Sequence, residues 1–166
     1  MLKFLPKSLV GAVVVVLVGA TAALALPPFS TAPKTASPRG DAAELYGSAA
    51  GCHATFDRFV INARFATPGY DVRYVPRIIA DPSGRPVSLL GATRIRIRLS
   101  LAAGHDNHGT NLLASTLTPR CPNLLQVKKA GDFEGVVTFG LGLSRTTGFR
   151  VFRLTNPTRV VIDVAH

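Results

Sequence analysis

Three arginines at alternate positions are the densest group of side chains in this sequence that could do chemistry. They are Arg94, Arg96 and Arg98, and apolar residues separate them within Thr93–Ser100. Same-face neighbours on a β-strand lie about 6.5–7 Å apart, and each guanidinium can bind a carboxylate or phosphate through two hydrogen bonds. The pattern predicts a row of anion-binding groups. A solvated outer strand face is typical of the same alternation.

Two further arginines, Arg150 and Arg153, are candidate ligand-binding residues near the end of the chain. Their separation of three positions places them on opposite faces of a strand, so both can join one patch only through a twist or a bulge. The formal net charge of +10 favours attraction to anionic envelope polymers or lipid headgroups, because summed charge acts on association. Nucleic acid is not predicted as a partner, since the basic residues are not interleaved with aromatic ones.

Metal binding and catalysis have little support in the sequence. His105, Asp106 and His108 form the only metal-like cluster, but one glycine-flanked loop is a poor preformed metal site and the same residues suit a polar turn. The motifs His-Glu-x-x-His and Gly-x-Ser-x-Gly and a glycine-rich phosphate loop are all missing. We therefore predict a non-catalytic protein with no metal and no cofactor.

Residues 1–26 have the pattern of an export segment. Lys3 and Lys7 precede an uncharged apolar run that ends at Leu26. A signal peptide would be cleaved at a small-residue site such as Ala23-Leu24-Ala25 or Ala20-Thr21-Ala22. A retained signal anchor would need about 18–20 apolar residues, which the run also supplies. Both alternatives place the chain after residue 30 outside the cell membrane.

The two cysteines, Cys52 and Cys121, are predicted to form a disulfide because an exported chain folds in an oxidising compartment. A bridge closing a loop of this length stabilises the fold by roughly 3–4 kcal/mol in the chain-entropy model. The alternative is a pair of buried free thiols.

Residues 27–50 are rich in Pro, Ser, Thr and Ala and are predicted to form an extended, mobile linker. A single helical turn capped by Asp41 is possible over residues 41–46. The folded domain is predicted to occupy residues 51–166.

Short apolar alternations separated by turn signals fill this domain, and no segment has a sustained helical period. The pattern predicts an all-β fold, a β-sandwich of two mainly antiparallel sheets, preceded by the hydrophobic N-terminal helix and the linker. Phe149–Leu154 has bulk on both faces, which favours a central strand, and Val160, Ile162 and Val164 predict a strand with one buried face. Asn156-Pro157 would join these two strands.

The closing run Phe149–Val164 resembles the signature of the AMIN domain, and the chain is similar to the AMIN-like domain of actinobacterial exported proteins over roughly residues 52–166. Other matching pieces occur in the family's order: Phe56–Val60, Pro68–Val72, Tyr74-Val75, Ser83-Gly84, Pro86-Val87 and Asp132–Val136.

This resemblance implies a β-sandwich with a binding role at the cell envelope, since AMIN domains are associated with targeting envelope enzymes to peptidoglycan. We therefore expect a secreted or membrane-anchored, non-catalytic domain that binds the cell wall, either peptidoglycan or an attached anionic polymer. The alternative is a protein–protein interaction domain that docks an envelope partner through a strand edge.

Overall fold

The structure is a computed structural model that describes residues 25–166. The regular secondary structure of these residues consists of β-strands without any helix, so the predicted all-β class is confirmed. None of their elements is a helix with the length and apolar character needed to cross a membrane. The predicted leader over residues 1–26 lies almost wholly outside the described residues. The strands are β1 Lys34–Ala36, β2 Ala43–Cys52, β3 Phe56–Arg64, β4 Gly69–Tyr74, β5 Ile78–Ile79, β6 Pro86–Val87, β7 Thr93–Ser100, β8 Ala102–Ala103, β9 Thr116–Leu117, β10 Leu124–Phe133, β11 Val136–Leu143, β12 Phe149–Leu154 and β13 Arg159–Ala165.

Two main sheets pack face to face as the predicted sandwich. The six-stranded sheet has the order β1-β4-β7-β11-β10-β9, and the five-stranded sheet has the order β12-β13-β3-β2-β8. All pairings within them are antiparallel except that of β2 with β8. Phe59 of one sheet and Phe139 of the other meet edge to face with ring centroids 5.3 Å apart. The apolar faces of both sheets therefore form one shared core.

The C-terminal hairpin has the predicted strands and turn but a different place in its sheet. β12 and β13 pair antiparallel across Asn156-Pro157, and β12 lies at the edge of the five-stranded sheet. The prediction of a central position for β12 is wrong, because β12 pairs with no strand other than β13. The bulk on its second face is covered by a side chain, since the Arg58 Cζ atom lies 5.6 Å from the ring centroid of Phe152. β13 is buried on both faces, since Val161 and Asp163 are as inaccessible as Val160.

The sandwich begins earlier in the chain than predicted. β1 pairs with β4 at the edge of the six-stranded sheet, and β2 pairs along most of β3. β1 and most of β2 fall within residues 27–50, which we predicted to be a linker, and both strands pair within the two main sheets. Ala43 and Leu45 are fully buried in the core. Residues 43–46 thus belong to β2, where the structure has a strand in place of the expected helical turn.

A small hairpin covers part of the outer face of the six-stranded sheet. β5 and β6 pair as a separate two-stranded sheet, and Ile78, Leu89 and Ala130 form a second apolar cluster there. The hairpin and the β6–β7 connection that follows it explain two glycines of β11. A Cβ atom at Gly140 would lie 2.7 Å from Ile78 Cγ1 of the hairpin, and one at Gly142 would lie 2.0 Å from the Leu90 carbonyl oxygen of the connection. These glycines give room for both segments.

The predicted disulfide between Cys52 and Cys121 is present, with the Cα atoms 5.3 Å apart. It ties the end of β2 in one sheet to the loop that enters β10 in the other. Asp57 is fully buried beside it. Its Oδ2 accepts hydrogen bonds from the backbone N–H groups of Asn123 and Leu124, each 2.7 Å long, because a buried carboxylate requires such donors.

Candidate functional site

The arginine row, Arg94, Arg96 and Arg98, lies on the outer face of the six-stranded sheet. The intervening side chains of β7 are fully buried in the core, so the predicted alternation is confirmed. Arg94 and Arg96 are half-buried and Arg98 is exposed. Across the ladder these residues oppose Gly142, Gly140 and Thr138 of β11.

None of the three row arginines has a carboxylate within 4 Å among residues 25–166. Asp71 lies opposite Arg98 on β4, but its two oxygens accept from the Nε and Nη2 atoms of Arg73 at 2.6 and 2.7 Å. The closest polar contact of Arg94 is a 3.5 Å approach of its Nη1 to the Ala92 carbonyl. The row therefore presents three positive charges that the protein leaves without a paired anion.

Concavities follow the row from end to end. A cavity of about 540 Å³ opens beside Arg94, between β4 and the β6–β7 connection. A second cavity of about 210 Å³ lies between Arg96, Arg98 and the β5–β6 hairpin. Arg98 also borders cavities of about 210 and 360 Å³ on either side of the start of β11. We call this part of the sheet surface, the three arginines with the concavities that they border, the row groove.

Arg150 and Arg153 do not join the row. Arg150 lies on the outer face of the five-stranded sheet and pairs with Asp163. Arg153 donates through Nη2 to the carbonyl oxygens of Ser37 and Pro68 at 2.8 and 2.6 Å, and desolvation by burial lowers its pKa. Both guanidiniums are engaged inside the protein, so no twist or bulge brings either of them to β7.

The outer face of the five-stranded sheet carries a charge cluster that sequence reasoning missed. Arg58 donates to Asp163 through Nε and Nη2 at 2.6 and 3.0 Å, and Arg150 donates through Nε at 2.8 Å. The hydrogen bond to Asp163 raises the pKa of Arg58. An acidic residue inside the apolar run of β13 was the available signal, because a fully buried carboxylate needs a cationic partner.

Two further residues that sequence reasoning missed, Arg77 and Thr138, line the cavity beside Arg96. Arg77 immediately precedes β5, and the hairpin brings it over β7 although the two segments are far apart in sequence. Thr138 is 2% exposed and belongs to β11. Nothing in the local sequence of either residue points to this cavity.

The residues of the histidine-rich loop have partners within the protein. His105 Nδ1 lies 2.9 Å from Asp132 Oδ2. Asp106 Oδ1 accepts hydrogen bonds from the backbone N–H groups of His108 and Thr110. The bond from Thr110 is the main cause that lowers the pKa of Asp106. The loop thus has the geometry of a polar turn closed by an aspartate.

The comparisons with known proteins identify one matching family. No curated protein and no solved structure matches the chain. The family model of the AMIN-like domain matches residues 43–166, which starts at β2 and includes every later strand of both sheets. Domains of this family are generally extracytoplasmic, non-catalytic binding domains related to the cell envelope. Because the match covers most of its length, the chain belongs to the AMIN-like domain family.

Proposed function

We propose that this protein is an exported, non-catalytic domain that binds an anionic cell-envelope polymer, either peptidoglycan or an attached anionic glycan, through the row groove. One observation carries the proposal. Three guanidiniums without a carboxylate partner lie in a row on the outer face of the six-stranded sheet, and each borders a concavity. The family relationship supports the envelope as the place of binding.

Electrostatics favours an extended ligand. Neighbouring row arginines repel one another because they lie about 6.5–7 Å apart on the same face. A chain with repeated anionic groups relieves this repulsion at several positions at once, and the row spans about 13 Å from Arg94 to Arg98. The groove remains open to solvent at the Arg98 end, so a polymer can continue beyond the protein.

Retention of the protein on purified cell walls tests the proposal. Replacing Arg94, Arg96 and Arg98 together by serine should weaken retention by about 10- to 100-fold, since three exposed charge contacts contribute about 0.5–1 kcal/mol each. The matched control replaces Arg39, Arg120 and Arg145 by serine. These residues are exposed and lie outside the groove, and both triple variants lose three positive charges.

The control should keep wild-type retention. An equal loss in both variants would show that net charge alone holds the protein on the wall. Unchanged retention in the row variant would remove the row from the binding site. Binding through the row should also weaken steeply between low and physiological ionic strength, because exposed charges are screened over about 8–10 Å.

A free strand edge supports a second candidate function, docking of an extended segment from an envelope protein. β8 pairs only with Ala43 and Glu44 of β2. On that side, the backbone of residues 46–52 has no partner within the described part of the chain. This stretch reads Tyr-Gly-Ser-Ala-Ala-Gly-Cys, without charge or proline, and such an edge is a template for strand addition.

Ionic strength and protein content distinguish the two candidates. Strand addition should persist at physiological salt and should vanish on walls that have been stripped of protein. Lysines introduced at Ala49 and Gly51 should block it, because charges beside an edge oppose pairing. A Cβ atom at Gly51 has no neighbour within 4 Å, so the variant is compatible with the fold. If the lysine variant is retained on protein-free walls as strongly as the wild type, the second candidate is ruled out.

A further inference from the structure

The cavity of about 210 Å³ in the row groove has an unusual set of charged walls. Arg96 and Arg98 rise from β7, Thr138 from β11, and Arg77 approaches from the start of the β5–β6 hairpin. Ile79 and Asp81 of the same hairpin complete the lining. Three separate segments of the chain thus bring three guanidiniums and a hydroxyl to one small space.

Two polar atoms of these lining residues are buried and have no hydrogen-bond partner in residues 25–166. They are Nε of Arg96 and Oγ1 of Thr138. Buried polar atoms in native proteins nearly always have a hydrogen-bond partner, so a buried atom without one needs a specific explanation. The two residues belong to adjacent strands of the same sheet and border the same cavity. A ligand that reached both atoms would complete their hydrogen bonding.

The charges of the cavity do not cancel internally. Its lining holds three arginines and one aspartate, and none of the arginines lies within 4 Å of a carboxylate oxygen. Asp81 is held in place from its backbone, since its N–H donates to the Ala130 carbonyl at 3.0 Å. Nearby, Asp71 is already bound by Arg73. The cavity therefore keeps an excess of positive charge.

We propose that this cavity binds a phosphate group of the ligand. The inference rests on the proposed function and deepens it, because it makes the bound polymer a phosphate-bearing one. Three guanidinium forks and a hydroxyl direct donors from several sides, which suits a tetrahedral oxyanion better than a planar carboxylate. The volume suits one charged group, and the rest of the chain would follow the row groove toward Arg94.

The test uses the full chain and inorganic phosphate as the probe, at constant ionic strength set with chloride. Binding is followed by the Nε–Hε resonance of Arg96 and by calorimetry. We expect saturable phosphate binding that moves this resonance. Thr138→Val removes the hydroxyl at nearly constant volume and should weaken phosphate binding by about fivefold or more.

Ser48→Ala is the matched control. Ser48 Oγ is also buried without a hydrogen-bond partner in residues 25–166, but this residue belongs to β2 of the five-stranded sheet and does not line the phosphate cavity. Its substitution should leave phosphate binding unchanged. Wild-type affinity in Thr138→Val, an equal loss in both variants, or acetate binding as tight as phosphate binding would each overturn the inference.

Two further measurements separate this inference from the proposed function. If walls freed of phosphodiester-linked polymers retain the protein as well as untreated walls do, the row binds another anion and the phosphate inference fails alone. If phosphate binds but no wall preparation retains the protein, the phosphate site is supported and the proposed function fails. Vesicles of phosphatidylglycerol, with phosphatidylcholine vesicles as the reference, then show whether a lipid headgroup supplies the phosphate.

Discussion

The outer faces of the two sheets both carry arginines but treat their charge in opposite ways. On the five-stranded sheet, Arg58 and Arg150 share the fully buried carboxylate of Asp163. On the six-stranded sheet, the row arginines have no carboxylate within 4 Å in the described structure. Arg58 and Arg150 therefore have a structural role on one side, whereas the row arginines lack an anionic partner on the other.

This difference teaches where to look for a ligand. Unneutralised like charges destabilise a fold, so a surface without functional constraint gains by acquiring an acid between them. Asp163 is such an acid in one sheet. The corresponding positions on β11 hold Gly140, Gly142 and Thr138, none of which can neutralise a guanidinium. On β4, Asp71 lies opposite Arg98 but is already paired with Arg73. The row keeps its charge available for an external anion.

The largest effect should come from Asp163→Asn. The change leaves two partly buried guanidiniums without their carboxylate, and breaking a buried ion pair in this way costs about 3–5 kcal/mol. The matched change on the other face is Asp71→Asn. The Arg73–Asp71 pair has side chains 39% and 33% exposed, so its loss should cost under about 1 kcal/mol.

Equilibrium unfolding in urea measures both changes. Similar free energies of unfolding for the two variants would mean that the faces do not differ in how they use charge. A loss confined to Asp163→Asn would establish that one arginine set holds the fold together.

A second contrast concerns glycines, because only one face is covered. Gly142→Ala would place a Cβ atom 2.0 Å from the Leu90 carbonyl oxygen beneath the β6–β7 connection, whereas the same change at Gly51 meets nothing within 4 Å. We expect Gly142→Ala to lower the free energy of unfolding by about 2–3 kcal/mol through overpacking. Gly51→Ala should be neutral or stabilising by about 0.5–1 kcal/mol.

Thermal and urea unfolding of the two alanine variants measure this contrast. A neutral Gly142→Ala would show that the β6–β7 connection does not lie against β11, and the row groove would lose this wall.

The strands that sequence reasoning predicted well are those whose side chains alternate. β7 is the clearest case, because its alternation of arginine and apolar residues predicts the burial of every second side chain. β1 has no such pattern, since its three residues contribute backbone pairing at a sheet edge and little buried surface. β2 is rich in Ala and Gly, and its register shift near Tyr46 breaks the alternation. Their assignment to a linker followed from this missing signal.

The candidate site was predictable only where it lies on one strand. The row arginines are two residues apart, so their shared face follows from strand geometry. Arg77 and Thr138 reach the same cavity through the hairpin that crosses β11, and tertiary packing of that kind leaves no local trace. The pairing of Arg150 could not be predicted from local sequence, because its partner, Asp163, lies opposite it on the neighbouring strand.

The smallest predicted effect compares one arginine from each face. Arg150→Ser removes one donor from Asp163 and the stacking of the guanidinium over Phe29, whose ring centroid lies 4.4 Å from the Arg150 Cζ atom. Arg58 still pairs with Asp163, so the free energy of unfolding should fall by only about 1–2 kcal/mol. Arg98→Ser removes no internal partner and should change it by less than about 0.5 kcal/mol.

Urea unfolding of both serine variants, combined with wall retention, completes this comparison. Arg150→Ser should lose stability and keep retention, whereas Arg98→Ser should keep stability and lose retention. The opposite result for Arg98, lower stability with unchanged retention, would mean that the row also serves the fold. A side chain serves binding and not folding only if its removal leaves the free energy of unfolding unchanged. Arg98 tests this condition most directly, because it is the most exposed of the three row arginines.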